Sequence, residues 1–208
     1  MGPDGLDMDG AATLISDLAG RDLDGSTAWR QLVAWCASNR PHADWERFRT
    51  LDFDAELQRL RGWLGRVLHS APPDPSVTGL YFGLFNPVYD DGEPVADVYV
   101  AGGIYGSGDW LSSVSEHWFP EGRYAHSELL AQVYRTAYAS EGSLGNDAEY
   151  PLVLGFGVLA AKHLCQDLGQ QLLARGRTEL WIAAGFDSGD VLTLGRLTPS
   201  GLAISPAW

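Results

Sequence analysis

Residues Trp181 to Leu197 read WIAAGFDSGDVLTLGRL and have the pattern of two strands joined by a turn. Two apolar segments flank a short acidic loop, in which Asp187 and Asp190 stand on either side of a Ser-Gly pair. Asp, Ser and Gly are typical of turns because they bond to their own backbone or accept a positive φ. We therefore expect two strands joined by a turn, which favours an antiparallel arrangement.

A second strand pair is predicted upstream. TGLYFGLFN (78–86) and VADVYVAGG (95–103) both alternate side chains between two faces, as strands do. The intervening PVYDDGEP (87–94) contains Asp91-Gly92, a dipeptide that is common in hairpin turns. These segments predict a second hairpin in the same sheet.

Helical periodicity dominates the rest of the chain. Apolar side chains three and four residues apart predict a helix around Trp29, with Ser26 or Thr27 as its N-cap. The same spacing predicts helices over Asp54 to His69, from about His126, and from Pro151, since proline is favoured in the first helical turn.

The segment SAPPDPS (70–76) interrupts the helical pattern, because consecutive prolines block helix formation. It divides a helical N-terminal portion (1–75) from a mixed portion (76–208), although the two could form one continuous domain. The predicted fold class is α+β: a small, mainly antiparallel sheet packed by helices, with a helical N-terminal portion.

The charge of the chain limits the partners it can bind. It carries 27 acidic and 14 basic residues among 208, a net charge of −13, and residues 76–208 account for −9 of it. Such a surface repels phosphate backbones, so nucleic acid is an unfavourable partner. The excess of carboxylates serves solubility or attracts a basic protein.

The location of the chain is predicted to be cytoplasmic. The longest apolar run, from Pro151 to Ala161, is too short to cross a bilayer, and the sequence shows no secretory signal. Cys36 and Cys165 lie in apolar, helix-like contexts, which favours buried free thiols in a reducing compartment.

The sequence contains few groups with the spacing of an active site. Asp187 and Asp190 lack the further oxygen ligands of a calcium loop, and the glycines match no nucleotide-binding pattern. We therefore expect no metal, no cofactor and no catalytic residues. The alternative is a metal-assisted hydrolase that uses Asp187, Asp190 and His126.

Acidic loops and tryptophans supply the candidate partner-binding residues. Aromatic side chains near loops either fill the core or anchor an interface, and carboxylates around them would steer a basic partner. The candidates are Asp90, Asp91, Glu93, Trp110, Glu116, Trp118, Glu121, Asp187 and Asp190.

The order of segments from about Leu80 onward resembles that of a family of uncharacterised bacterial proteins found beside secreted toxins. LYFGLFN (80–86) looks like the first strand of that pattern, EHWFPEGRY (116–124) like its Trp-Pro-acidic segment, and ELWIAAGFDSGD (179–190) like its late strand ending in an aspartate. The resemblance implies a cytoplasmic immunity protein that binds and neutralises a toxin, with no catalytic residue and no cofactor. A regulatory subunit of a bacterial assembly remains a further alternative.

Overall fold

A computed structural model describes residues 5–85, 88–90, 92–106 and 117–207, without the side chains of 88–90, 206 and 207. The helices within these residues are α1 (Met8–Gly20), α2 (Gly25–Asn39), α3 (Trp45–Arg49), α4 (Phe53–Ser70), α5 (Glu128–Ala137), α6 (Asn146–Asp167) and α7 (Gly169–Leu172). The strands are β1 (Gly79–Leu84), β2 (Val88–Asp90), β3 (Glu93–Val95), β4 (Asp97–Gly103), β5 (Tyr124–His126), β6 (Leu180–Phe186), β7 (Val191–Thr198) and β8 (Gly201–Ala207).

Six of these strands form one sheet in the order β5-β4-β1-β6-β7-β8. The neighbours are antiparallel except β1 and β6, which run parallel at the centre of the sheet. Both expected hairpins are present, since β1 pairs with β4 and β6 pairs with β7. The α+β prediction is therefore confirmed, together with its helical N-terminal portion.

The loop between β1 and β4 forms a small hairpin of its own. Strands β2 and β3 pair there, with Asp90 opposite Glu93. Gly92 has φ +84°, a conformation that glycine adopts without steric cost. Gly92, the glycine of the expected turn, thus lies at the tip of the β2–β3 hairpin, and Asp91 lies outside the described residues.

Helix α6 forms the centre of the molecule, between the sheet and the N-terminal helices. Two glycines allow this close packing, because a Cβ on Gly155 would lie 2.3 Å from Leu32 of α2, and one on Gly157 would lie 2.8 Å from Leu84 of β1. Buried side chains from α1 to β7 form a continuous hydrophobic cluster around α6. The helical portion and the sheet therefore share one core.

Several local expectations are wrong. Pro151 does not open a helix but lies inside α6, which begins at Asn146 after Gly145 turns the chain with φ +53°. The N-cap of α2 is Asp24, whose carboxylate accepts a hydrogen bond from the Thr27 amide, rather than Ser26 or Thr27.

The beginning of α5 also differs from expectation. His126 ends strand β5, where backbone pairing with β4 holds the chain extended. Ser127 then caps α5 by accepting a hydrogen bond from the Leu130 amide at 3.2 Å. Strands β5 and β8 both went unpredicted.

The N-terminal helices are tied to α6 by a buried lysine. Lys162 is 2% exposed, and its ammonium donates a hydrogen bond to the carbonyl oxygen of Arg21, directly after α1. Burial lowers the pKa of Lys162, and the carboxylate of Asp22 opposes that shift. The lysine thus satisfies a carbonyl at the C-terminus of α1.

Candidate functional site

The C-terminal ends of the parallel strands β1 and β6 lie side by side. They bring several polar side chains to one end of the sheet. The amide of Asp187 donates to the Leu84 carbonyl at 3.2 Å, and the amide of Phe85 donates to the Asp97 carbonyl at 3.0 Å. His126 pairs with Asp97 in the register of β4 and β5. We call this end of the sheet, with Phe85, Asp97, His126 and Asp187, the carboxylate edge.

The acidic loop of the opening stretch is a turn at this edge. The Phe186 amide donates to the Asp190 carbonyl at 3.0 Å, which closes the turn between β6 and β7. Each carboxylate accepts a hydrogen bond from a different tyrosine: Asp187 from the hydroxyl of Tyr99, and Asp190 from the hydroxyl of Tyr150. The two carboxylates are therefore held apart by separate partners.

Burial and these hydrogen bonds together raise the pKa values of Tyr99 and Tyr150. Burial is the main cause that raises the pKa of Tyr99, and the hydrogen bond to Asp187 adds to it. Burial likewise raises the pKa of Tyr150, followed by the hydrogen bond to Asp190. Both hydroxyls are therefore protonated donors at neutral pH.

The sheet has two faces with different environments. Leu80, Phe82 and Leu84 of β1 belong to the core on the helical side, whereas Tyr81 belongs to a separate small cluster with Tyr99 on the other side. We call this second side, where no residue of a described helix joins the cluster, the open face.

Two tyrosines cross the open face and bind the end of β6. The hydroxyl of Tyr81 donates to the carbonyl oxygens of Gly185 and Phe186, at 3.0 and 2.7 Å. The ring of Tyr99 lies over Gly83, where an added Cβ would be 2.1 Å from the ring. Gly83 thus leaves the space through which Tyr99 of β4 reaches Asp187 beyond β6.

Exposed aromatic rings surround Tyr99. Phe85, Phe119 and Tyr124 are 40%, 37% and 41% exposed, which is unusual for side chains of this size. The ring of Tyr124 lies 6.1 Å from that of Phe85 and 5.6 Å from that of Tyr99, and the ring of Phe119 lies 6.4 Å from that of Tyr99. We call Phe85, Phe119 and Tyr124 the aromatic patch.

One cation already lies against the aromatic patch. The guanidinium carbon of Arg123 is 3.6 Å from the ring centre of Phe119 and 4.7 Å from that of Tyr124. Its Nη1 donates to the Pro120 carbonyl at 3.1 Å. The patch is therefore an environment in which a guanidinium group is stable against aromatic rings.

The structure brings together only some of the expected binding residues. Asp187, Asp190 and Glu93 lie at the carboxylate edge, since the β2–β3 hairpin connects β1 to β4 there. Glu93 is exposed and forms an ion pair with Arg135 at 2.9 Å. Glu121 is exposed but precedes β5 in a turn away from this edge.

Trp118 is not an accessible anchor. It is 7% exposed, and its indole nitrogen donates to the Ala71 carbonyl at 2.9 Å. This burial matches the alternative that the tryptophan fills the core. Asp91, Trp110 and Glu116 lie outside the described residues, and Asp90 is described by its backbone alone.

The residues of the hydrolase alternative do not meet. His126 is on β5 and Asp187 follows β6, with β4 and β1 between them, so three strand spacings of about 4.8 Å separate their backbones. The imidazole of His126 lies instead 3.6 Å from Asp97 and 3.8 Å from Glu128. Within the described residues, no group of three or more His, Cys, Asp or Glu side chains could hold a metal ion.

Part of this surface could have been found from the sequence, by combining the alternation of side chains in two strands with the pairing of those strands. Alternation in β1 places Tyr81 and Phe85 on one face, and alternation in β4 places Asp97 and Tyr99 on one face. Pairing the strands puts these four on the open face together. What the sequence could not show is that the described helices pack against the opposite face.

Comparisons with protein-family models, curated proteins and solved structures found no match to this chain. Among the described residues, no helix is long and apolar enough to span a membrane.

Proposed function

We propose that this chain is a non-catalytic binding protein that captures a basic protein partner through the carboxylate edge and the aromatic patch. The observation that carries this proposal is their adjacency: Phe85, 40% exposed, follows β1 between the ends of β4 and β6, where Asp97 and Asp187 lie. Exposed aromatic rings mark interaction surfaces, and carboxylates beside them favour a partner of positive charge.

The arrangement of the carboxylates supports binding rather than chemistry. Asp187 and Asp190 are exposed, and each accepts a hydrogen bond from a tyrosine hydroxyl that fixes its position. Fixed, exposed charges lower the entropic cost of forming an interface because they are ordered before the partner arrives. They also accelerate the encounter with a basic surface.

The identity of the partner is proposed from the resemblance to proteins found beside secreted toxins. A basic toxin domain fits the net charge of −13, and a toxin made in the same cell has to be blocked in the cytoplasm. Both cysteines are buried free thiols, which supports a reducing compartment such as the cytoplasm. Burial also raises the pKa of Cys36 to about 12, so this thiol is protonated at neutral pH.

The proposal predicts that a basic toxin domain is encoded beside this chain, and the test is surface plasmon resonance against that domain at several salt concentrations. Asp187→Lys with Asp190→Lys should lower the association rate and flatten its dependence on salt, because screening acts on long-range attraction. The matched control is Glu179→Lys with Asp167→Lys, two exposed carboxylates near the start of β6 and the end of α6.

The control should keep most of the association rate and its salt dependence. The proposal is wrong if the toxin domain does not bind. The carboxylate edge is not the binding surface if both double variants reduce the association rate equally.

A further inference from the structure

We infer that the open face holds a site for an arginine side chain of the partner, formed by Phe85, Tyr99 and Tyr124 with Asp97 and Asp187. The inference rests on the proposed function, and adds which chemical group the surface recognises. It depends on the register of the strands, which places rings and carboxylates in adjacent rows.

The first row consists of two aspartates, a histidine and a phenylalanine. His126, Asp97, Phe85 and Asp187 follow one another across β5, β4, β1 and the end of β6. Asp97 and Asp187 thus flank Phe85, and their backbones are two strand spacings, or about 10 Å, apart. A planar cation over the ring of Phe85 would lie between two carboxylates.

The second row supplies the aromatic floor. Tyr124 and Tyr99 pair across β5 and β4, with ring centres 5.6 Å apart, and Tyr99 continues over Gly83. The rings of Phe85 and Tyr124 lie edge to face, at 84° and with 6.1 Å between their centres. Phe85 and Tyr124 are both about two-fifths exposed, so they remain accessible to a partner.

Arginine fits this site better than lysine. A guanidinium is planar, stacks on aromatic rings and bonds carboxylates with two N–H groups, whereas an ammonium is a strongly hydrated point charge. Arg123 already shows the stacking, with its guanidinium carbon 3.6 Å from the Phe119 ring centre. Asp97 and Asp187 place two negative charges beside the rings, against the positive charge of Arg123. Arg59 also lies nearby and donates to the His126 carbonyl at 3.5 Å, but it is paired with Glu56 at 3.0 Å. A second cation is therefore attracted to the rings.

The test uses two dye-labelled nonapeptides of equal charge, one alternating glycine with arginine and the other glycine with lysine, followed by fluorescence anisotropy. We expect the arginine peptide to bind about two- to fivefold more tightly, the effect of one exposed cation–π contact. Phe85→Leu with Tyr124→Leu should reduce that preference to about one. Tyr138→Leu, which removes an aromatic ring 50% exposed at the end of α5, should leave it unchanged.

Three results of the anisotropy assay would overturn the inference: equal affinity for the two peptides, an arginine preference that survives Phe85→Leu with Tyr124→Leu, or unchanged binding in Asp97→Asn with Asp187→Asn. Ring NMR signals of the unsubstituted chain give a second readout that needs no variant. If the arginine peptide changes the chemical shifts of the Tyr138 ring but not those of the Phe85 and Tyr124 rings, the inference is also overturned.

The outcomes separate this inference from the proposed function. If charge reversals abolish binding of the toxin domain while the two peptides bind equally, the proposed function stands and the arginine site fails. If the arginine preference is found but the toxin domain does not bind, the site stands and the toxin partner fails.

Discussion

The hydroxyl of Tyr99 on β4 donates a hydrogen bond to the carboxylate of Asp187, which lies beyond the end of β6 with the whole of β1 between them. The contact is possible because Gly83 of β1 has no side chain under the tyrosine ring. One glycine in the central strand therefore allows Tyr99, which the aromatic patch surrounds, to reach the carboxylate of Asp187.

Gly83→Ala should break this link. The added methyl would lie 2.1 Å from the Tyr99 ring, so the ring has to move and lose Asp187. We expect a loss of about 1–3 kcal/mol in the free energy of unfolding, measured by urea denaturation. In the control Gly62→Ala the nearest atom is the end of Arg66 at 3.5 Å, and this helical site should gain about 0.5–1 kcal/mol. Equal stabilities for the two variants would contradict the packing described.

Phe156→Ala should be among the most destabilising single substitutions. The side chain is fully buried in α6, and its ring lies 5.4 Å from that of Phe53. Removing it should cost about 3–5 kcal/mol in the free energy of unfolding. Phe85→Ala, at a ring that is 40% exposed, should cost less than about 1 kcal/mol. A loss below about 1 kcal/mol for Phe156→Ala would show that α6 is not central.

Stability should fall in alkaline solution. Burial and the bond to Asp187 raise the pKa of Tyr99 above its ordinary value of 10.0, so above that pH the unfolded chain releases a proton that the folded chain keeps. The stabilisation is complete below about pH 10 and is lost as the pH rises toward the folded-state pKa. Tyr81, Tyr150 and the two buried thiols act in the same direction.

The contribution of Tyr99 can be isolated. In urea denaturation between pH 9 and 11, Tyr99→Phe should reduce the slope of unfolding free energy against pH by up to about 1.4 kcal/mol per unit. An unchanged slope in this variant would show that Tyr99 titrates alike in the folded and unfolded chains.

We expect no specific divalent site at the β6–β7 turn. Asp187 and Asp190 accept hydrogen bonds from different tyrosines, and two carboxylates alone do not complete the shell of a calcium ion. Isothermal titration with calcium, magnesium, manganese and zinc should show no binding tighter than millimolar. Micromolar binding that disappears in Asp187→Ala would favour the hydrolase alternative.

The central strands could be predicted because their side chains alternate. Strands β1, β4, β6 and β7 each place one apolar row against the helices, and that row has a period of two. The edge strand Tyr124–His126 has only three residues, which is too short to show such a row. It is a strand because its backbone pairs with β4. Strand Gly201–Ala207 likewise depends on pairing, here with β7.

The candidate site was only half predictable. Turn chemistry identified Asp187 and Asp190, since Asp and Gly form turns in any context. The role of Phe85 depends on which side of the sheet the helices cover. The role of Trp118 depends on its hydrogen bond to the Ala71 carbonyl, 47 residues away in sequence. Such contacts between distant segments leave no periodic signal in the sequence.

The buried ammonium between α6 and α1 has a practical consequence for chemical labelling. Lys162 is the only lysine in the sequence and is 2% exposed, so an acylating reagent reaches this side chain only when the helices separate. The rate at which Lys162 is acylated, followed by mass spectrometry of the peptide that contains it, therefore reports how often that interface opens. Lysine-directed cross-linkers, for the same reason, should leave the folded chain's contacts with a captured partner unrecorded, and carboxylate-directed reagents are the better choice.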